Sequence, residues 1–329
     1  MNEKRFYELN KIAELFFMEC LQSAEALLAK KYVRDRQMDD RTITRFGIGY
    51  APEKGKALLR HLKKQGCSYE EALEAGLASR NESGKYFDRF RNRIMLPIIN
   101  KDGNIIGFGG RVIGDTKPKY LNSPDSVFFQ KREHLYGENL SQNSRYRSRI
   151  LCEGYFDVIS MHKCGINNAV ASLGTAFTEG HAKQLRETTD WVCIAYDSDE
   201  AGMSAAARVI PMLRKHGILV RVLNVNPCKD PDEFAKTFGA YALMERLRDA
   251  EKETDFFLRY LKSQCNLNDI DDRIRYQKEA VEAICKFTRK EEREKYYREL
   301  SMLFEVPVSA YRELESKSQT ENGREGTKC

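Results

Sequence analysis

The chain has 329 residues, 41% of them hydrophobic and 32% charged, with a formal net charge of +6, which fits a soluble protein of two or three domains. No apolar run approaches the ~20 residues of a membrane helix, and the N-terminus Met-Asn-Glu-Lys-Arg opens no secretory apolar stretch. The nine cysteines show no Cys-x-x-Cys spacing, which argues against a zinc ribbon and for reduced thiols in the cytoplasm.

Residues 1–80 read as mostly helical, with apolar residues at helical spacing over Leu9–Ala29. Phe46-Gly-Ile-Gly-Tyr-Ala-Pro interrupts the pattern, and Gly55–Ala78 resumes it. From Tyr86 to Gly114 the pattern turns to β. Ile94–Ile99 and Ile105–Ile113 are apolar runs joined by the turn signal Lys101-Asp-Gly-Asn, which predicts a hairpin. Lys85–Arg132 holds ten Lys and Arg against four Asp and no Glu. That block accounts for the excess charge of the whole chain, the electrostatic footprint of a nucleic-acid or polyphosphate binder. Polar residues 138–148 are expected to link two subdomains.

Strand and helix then alternate. Strands are expected over Ile150–Cys152, Asn168–Ser172, Trp191–Tyr196 and Ile218–Val225. Helices are expected over Phe156–Lys163, after Thr178, and over Glu200–His216. This is the pattern of βαβ units on a parallel sheet, so the fold class is mixed α/β. Residues 231–315 are again helical, where Phe256, Phe257, Tyr260 and Leu261 read as a packed helix face. Residues 316–329 lack periodicity and read as a disordered tail.

Acidic residues follow three of these strands: Glu153 and Asp157, Asp197 and Asp199, Asp230 and Asp232. In an open parallel sheet the carboxyl ends of the strands share one edge, where ligands bind. Two carboxylates ~4 Å apart repel by roughly 4 kcal/mol at an effective dielectric near 20. A cation is therefore expected among them, and oxygen-only donors point to Mg²⁺ or Mn²⁺. Each piece has a plainer reading: Asp199 as a helix cap, Asp230-Pro-Asp-Glu as a helix start, Glu153 as the partner of a Lys. Gly154 is expected to permit a tight turn after Glu153. A site of this kind suits phosphodiester chemistry, with Glu153 available as acid or base.

Glu153-Gly-Tyr-Phe-Asp, Asp197-Ser-Asp-Glu-Ala-Gly and Asp230-Pro-Asp-Glu resemble the three motifs of the Toprim fold. Upstream, Phe87-Asp-Arg-Phe-Arg-Asn-Arg-Ile-Met-Leu-Pro-Ile, Gly107-Phe-Gly-Gly-Arg-Val, Lys117-Pro-Lys-Tyr-Leu-Asn-Ser-Pro and Phe129-Gln-Lys-Arg-Glu-His-Leu-Tyr-Gly resemble the basic subdomain of bacterial DnaG-type DNA primases, as does Phe46-Gly-Ile-Gly-Tyr-Ala-Pro. The resemblance spans about residues 5 to 315. It implies a basic subdomain over 1–137, a Toprim catalytic domain over 138–240, a helical subdomain over 241–315 and a tail over 316–329. It further implies a DNA-directed RNA polymerase making primers on single-stranded DNA from ribonucleoside triphosphates, leaving an RNA–DNA hybrid.

By the same resemblance Glu153, Asp197 and Asp199 are catalytic and hold two or three Mg²⁺ or Mn²⁺ ions, supported by Asp157, Asp230 and Asp232. Arg91, Arg93, Arg111, Lys119, Asn122 and Lys131 fall on nucleotide- or template-binding positions. Ser198 replaces a usual Gly, which is expected to limit positive φ there, and Arg132 replaces another. No zinc-domain cysteines precede Phe87 and no structured segment is expected after 315. The zinc domain and the helicase-binding domain are thus expected to be absent, whether in a catalytic fragment or in a naturally short protein. A monomer is expected, with a helicase or a separate zinc-domain protein as partners. The rival readings are a Toprim nuclease and a non-catalytic single-strand-binding module.

Overall fold

The computed structural model describes residues 1–142 and 147–325, and the backbone alone over 318–325. The first third carries α1 (Glu3–Gln22), α2 (Leu27–Asp35), α3 (Asp40–Phe46), β1 (Gly49–Ala51), α4 (Ala57–Lys64), α5 (Tyr69–Glu74), β2 (Ala78–Arg80) and β3 (Tyr86–Asp88). The hairpin of β4 (Arg93–Ile99) and β5 (Ile105–Val112) comes next, with β6 (Tyr120–Asn122). These strands form an antiparallel sheet of order β1-β4-β5-β6, while β2 pairs with β3. The hairpin expected from the two apolar runs is therefore present, in register from Arg93–Val112 to Leu96–Gly109 and beyond.

After α6 (Glu138–Ser141) come β7 (Ser148–Cys152), α7 (Tyr155–Lys163), β8 (Ala169–Ala171), α8 (Glu179–Thr188), β9 (Trp191–Ala195), α9 (Glu200–Lys215), β10 (Leu219–Val222), α10 (Pro231–Arg248) and β11 (Glu251–Lys252). The sheet order is β11-β10-β9-β7-β8, parallel except for β11. The period-2 rule sorts its side chains. Ile150, Cys152, Cys193 and Ala195 face the core shared with α7 and the N-terminal helices. Leu151, Val192 and Ile194 face a second core with α8 and α9. Both faces are covered, so the strands read as apolar runs rather than alternating ones. Part of the expected 138–148 linker, residues 143–146, lies outside the described residues.

A bundle of α11 (Glu253–Ser263), α12 (Ile270–Phe287), α13 (Lys290–Phe304) and α14 (Val308–Glu325) closes the chain. The expected packed face of α11 divides its side chains. Phe256, Phe257 and Tyr260 join the sheet's second core, and Leu261 joins the bundle's own. The expected disorder from 316 is corrected, because α14 runs to Glu325. It is anchored by fully buried Tyr311, whose hydroxyl donates to Gln277 Oε1 at 2.8 Å. Residues 326–329 lie outside the described residues. Among the described residues no helix is long and apolar enough to cross a membrane.

Candidate metal centre and nucleic-acid face

Glu153, at the end of β7, sends Oε1 to the backbone N–H of Asp197, which lies just past β9 (3.0 Å). Two of the three acidic segments therefore meet. The third joins through backbone and side chain. Ser198 N–H donates to the Lys229 carbonyl at 2.7 Å, and Lys229 Nζ lies 3.4 Å from Asp197 Oδ2 and 3.7 Å from Asp199 Oδ2. A cavity of about 350 Å³ opens here, lined by Glu153, Asp157, Asp197, Asp230 and Asp232 together with Arg36, Lys119, Tyr120 and Lys229. It sits outside the carboxyl ends of the strands, as the fold dictates.

Three of the six acidic residues hold their own loop with one carboxylate oxygen. Asp157 Oδ2 accepts from Gly154 N–H (3.0 Å), Asp199 Oδ1 from Gly202 N–H (3.0 Å) and Asp230 Oδ1 from Glu233 N–H (2.7 Å). The plainer readings of Asp199 and Asp230 as caps of α9 and α10 are thus correct as far as they go. Each cap uses one oxygen of two. Asp232 Oδ2 pairs with Lys236.

Electrostatic crowding is evident. The Asp157 carboxyl is pushed up to about 7, first by burial and then by Asp230 and Asp197. Glu153 and Asp197 are also raised, mainly by burial, with Asp197 and Asp199 adding to Glu153 and Asp230 adding to Asp197. Glu153 is exposed as a residue, but its carboxyl group lies in the cleft, and that local setting governs its titration. Lys229 is raised by Asp197 and Asp199.

Among the described residues no three His, Cys, Asp or Glu side chains are gathered tightly enough to enclose an ion. The donor set nevertheless fits Mg²⁺ or Mn²⁺ in kind. All its donors are oxygens, its members raise one another's pKa, and the ammonium of Lys229 occupies the space beside Asp197 and Asp199. Lys229 stands beside the Oδ2 atoms of Asp197 and Asp199.

Two local expectations are corrected. Gly154 has φ −145°, which any residue adopts, and a Cβ there would meet only Asp157 Oδ2 at 3.6 Å. Its lack of a side chain keeps the cavity open instead of shaping the turn. Ser198 is not among the positive-φ residues, so the replacement of Gly costs no strain. The glycine that matters is Gly202. A Cβ there would collide with the Asp197 carbonyl and lie 2.8 Å from Glu153 Oε1.

The basic residues separate into two groups. Lys119 lines the cavity. Arg91 is exposed and lies over Phe87, 5.2 Å from the ring centroid, outside the cavity. Arg111 lies over Tyr120 at 5.0 Å, with Nε buried and without a hydrogen-bond partner. The other three, Arg93, Asn122 and Lys131, have partners within the protein. Arg93 is 5% exposed and donates to the carbonyls of Gly110 and Pro118, both at 2.9 Å. Asn122 donates from Nδ2 to the Leu173 carbonyl and accepts at Oδ1 from the Tyr155 hydroxyl (2.8 Å), joining the two sheets. Lys131 Nζ pairs with Asp125 at 3.4 Å. Sequence reasoning missed Arg36 and Lys229. Lys229 stands directly before Asp230, and an acidic cluster with an adjacent Lys is a signal that could have found it.

Comparison with known proteins matches both parts of the chain that border the cavity. Residues 16–142 match the N-terminal domain of the DNA primase catalytic core, and residues 150–235 match a Toprim-like domain. The solved Escherichia coli primase catalytic core is 34% identical, with TM-score 0.74, and the alignment covers 90% of this chain and 96% of that one. The chain belongs to the DnaG-type DNA primase family. A DnaG catalytic domain solved with single-stranded DNA is 34% identical with TM-score 0.75, covering 91% of this chain and 98% of that one. Among whole proteins, the DNA primase of Clostridium acetobutylicum is 41% identical over 85% of this chain and 47% of its own length. That of Geobacillus stearothermophilus is 35% identical over 97% and 54%. The chain thus spans about half the length of the curated relatives it matches. One expectation is overturned. Residues 254–309 match the DnaB-helicase binding domain of primase, so a helicase-binding segment of the family is present.

Proposed function

We propose that this chain is the RNA-polymerising core of a DnaG-type primase, joining ribonucleotides on a single-stranded DNA template. The observation that carries the reading is the junction of Glu153 with Asp197 at the rim of a cavity that also holds Lys119 and Arg36. Carboxylates for cations and fixed positive charge for phosphates then share one space, which is what a nucleoside triphosphate needs. Mg²⁺ or Mn²⁺ held by Glu153, Asp197 and Asp199, with Asp157, Asp230 and Asp232 in support, would supply Lewis acidity there.

The protein's own part is positioning and proton handling. Lys119 and Arg36 face the triphosphate. Arg91 and Arg111 lie on the block that carries the excess charge and fit template phosphates. Glu153, its carboxyl raised by burial, is placed to take the proton of the attacking 3′-hydroxyl. The 3′-oxygen forms the new bond to the α-phosphorus, and the bond from that phosphorus to pyrophosphate breaks. The match over 254–309 supports a replicative helicase as partner. The proposed units are the basic subdomain to 137, the Toprim domain over 138–240 and the helical subdomain beyond.

The test is end-labelled single-stranded template with separately labelled ribonucleotides and Mg²⁺ or Mn²⁺. New RNA that disappears in Glu153→Gln supports the reading. Labelled template fragments without RNA would show a nuclease, and neither product would show a binding module.

A further inference from the structure

A second cavity, of about 240 Å³, meets the catalytic one at Glu153 but lies on the α8–α9 face of the sheet. Its walls include Phe177, Tyr196, Ala205 and Val209, and its polar residues include Ser172, Thr175 and Arg208 beside Glu153. The Thr175 hydroxyl is buried with no hydrogen-bond partner. A buried hydroxyl left unpaired costs about 1–3 kcal/mol, so a ligand that bonds to it recovers that cost. Arg208 Nη1 donates to Ser204 Oγ at 2.8 Å, which leaves the rest of an exposed guanidinium at the cavity mouth.

The two cavities differ in chemistry. The first holds three cations, Arg36, Lys119 and Lys229, and the carboxylate cluster. The second is walled largely by apolar side chains and is lined by three hydroxyl-bearing residues, Ser172, Thr175 and Tyr196, with the single guanidinium of Arg208 and the shared Glu153. Phosphodiester formation joins two unlike reactants, a triphosphate and a strand end presenting a 3′-hydroxyl. They must meet at the reacting carboxylate, and Glu153 lines both spaces, as does Ser172. We infer that the second cavity seats the terminal nucleoside of the growing RNA, with its ring or sugar against Phe177, Tyr196 and Val209. Thr175 then bonds a ribose or base edge, and Arg208 holds the adjoining phosphate. This inference rests on the polymerase reading above, and it gives that site its acceptor side.

The experiment uses the diribonucleotide ApA as probe and as primer. Thr175→Val removes the hydroxyl without changing shape, and Ala205→Leu fills the space. Binding of ApA is measured in EDTA by equilibrium dialysis, and the KM values for ApA and for ribonucleoside triphosphate are measured in Mg²⁺. Each variant is expected to weaken ApA binding and raise the ApA KM by about fivefold to tenfold, with the triphosphate KM unchanged. Thr175→Ser is expected to restore both, which separates a contact from a folding defect. Unchanged ApA binding in both folded variants would overturn the assignment, as would an equal rise in the triphosphate KM. If the unaltered protein makes no RNA, the polymerase reading fails. The dialysis result then stands apart from that failure: loss of ApA binding in both variants upholds the nucleoside seat, and unchanged binding removes it.

Discussion

The ammonium of Lys229 lies 3.4 Å from Oδ2 of Asp197. The same nitrogen is 3.7 Å from Asp199, and the Lys229 carbonyl accepts from Ser198 N–H. The chain thus supplies an internal cation where its carboxylates crowd. Lys229→Met is expected to lower the melting temperature in EDTA and to enlarge the rise produced by Mg²⁺, because repulsion is then relieved only by metal. Melts with EDTA and with Mg²⁺ check this. Equal behaviour of the variant and the unaltered protein in both conditions would show that the ammonium does not act as counter-ion.

Gly202 lets the first turn of α9 press against the Asp197 carbonyl and Glu153. Gly202→Ala introduces a methyl that both must yield to. RNA synthesis is expected to fall by about 10²-fold, the cost of displacing reacting groups by roughly 1 Å. Gly202 lies in the first turn of α9, so far-UV helicity is expected to stay unchanged. An active Ala variant would mean that the Glu153–Asp197 junction tolerates displacement and is not the reacting geometry.

His162 is buried on α7, with Nδ1 3.3 Å from Arg45 Nη2 and Nε2 3.3 Å from the Ala169 carbonyl. Burial, helped by Arg45, lowers its pKa to about 4. The unfolded chain takes up the proton below about pH 6.5, while the folded one resists until about 4, so stability is lost as pH falls through that window. At pH 5 the loss is about 2 kcal/mol, at 1.36 kcal/mol per unit. Urea unfolding at pH 7.5 and pH 5.0 measures it. The drop is expected to be smaller by about that amount in His162→Gln, and an unchanged drop would assign it to other groups.

Legibility of the chain depended on how local each signal was. The alternation of strands and helices fixed the parallel sheet, because apolar runs and caps are local. The acidic cluster was legible because strand ends in such a sheet must share an edge. Arg91 and Arg93 were not separable. Two residues apart, they should point one way in extended backbone, but Asn92 has φ +50° and breaks the alternation. Arg93 therefore starts β4 beneath two carbonyls, while Arg91 stays outside. The helicase-binding match escaped notice because its charged helices carry no short motif, and α14 because the docking of Tyr311 against α12 is a tertiary event.

That separation of Arg91 from Arg93 makes the last expectation specific. An exposed cation on a phosphate contributes affinity through counter-ion release. Arg91→Ala and Lys119→Ala are each expected to reduce the salt slope of single-strand binding by about one and to leave the melting temperature nearly unchanged. Arg93→Ala removes a buried donor set from the Gly110 and Pro118 carbonyls. It is expected to destabilise the antiparallel sheet by about 2 kcal/mol, chiefly the cost of stranding the buried Gly110 carbonyl. Fluorescence anisotropy of labelled single strands between 50 and 200 mM salt, beside urea unfolding, distinguishes the two behaviours, with the salt range taken as about that over which phosphate contacts register. If Arg93→Ala lost salt slope and kept its stability, Arg93 would be a template contact after all, and the guanidinium would have to leave its two carbonyls when DNA binds.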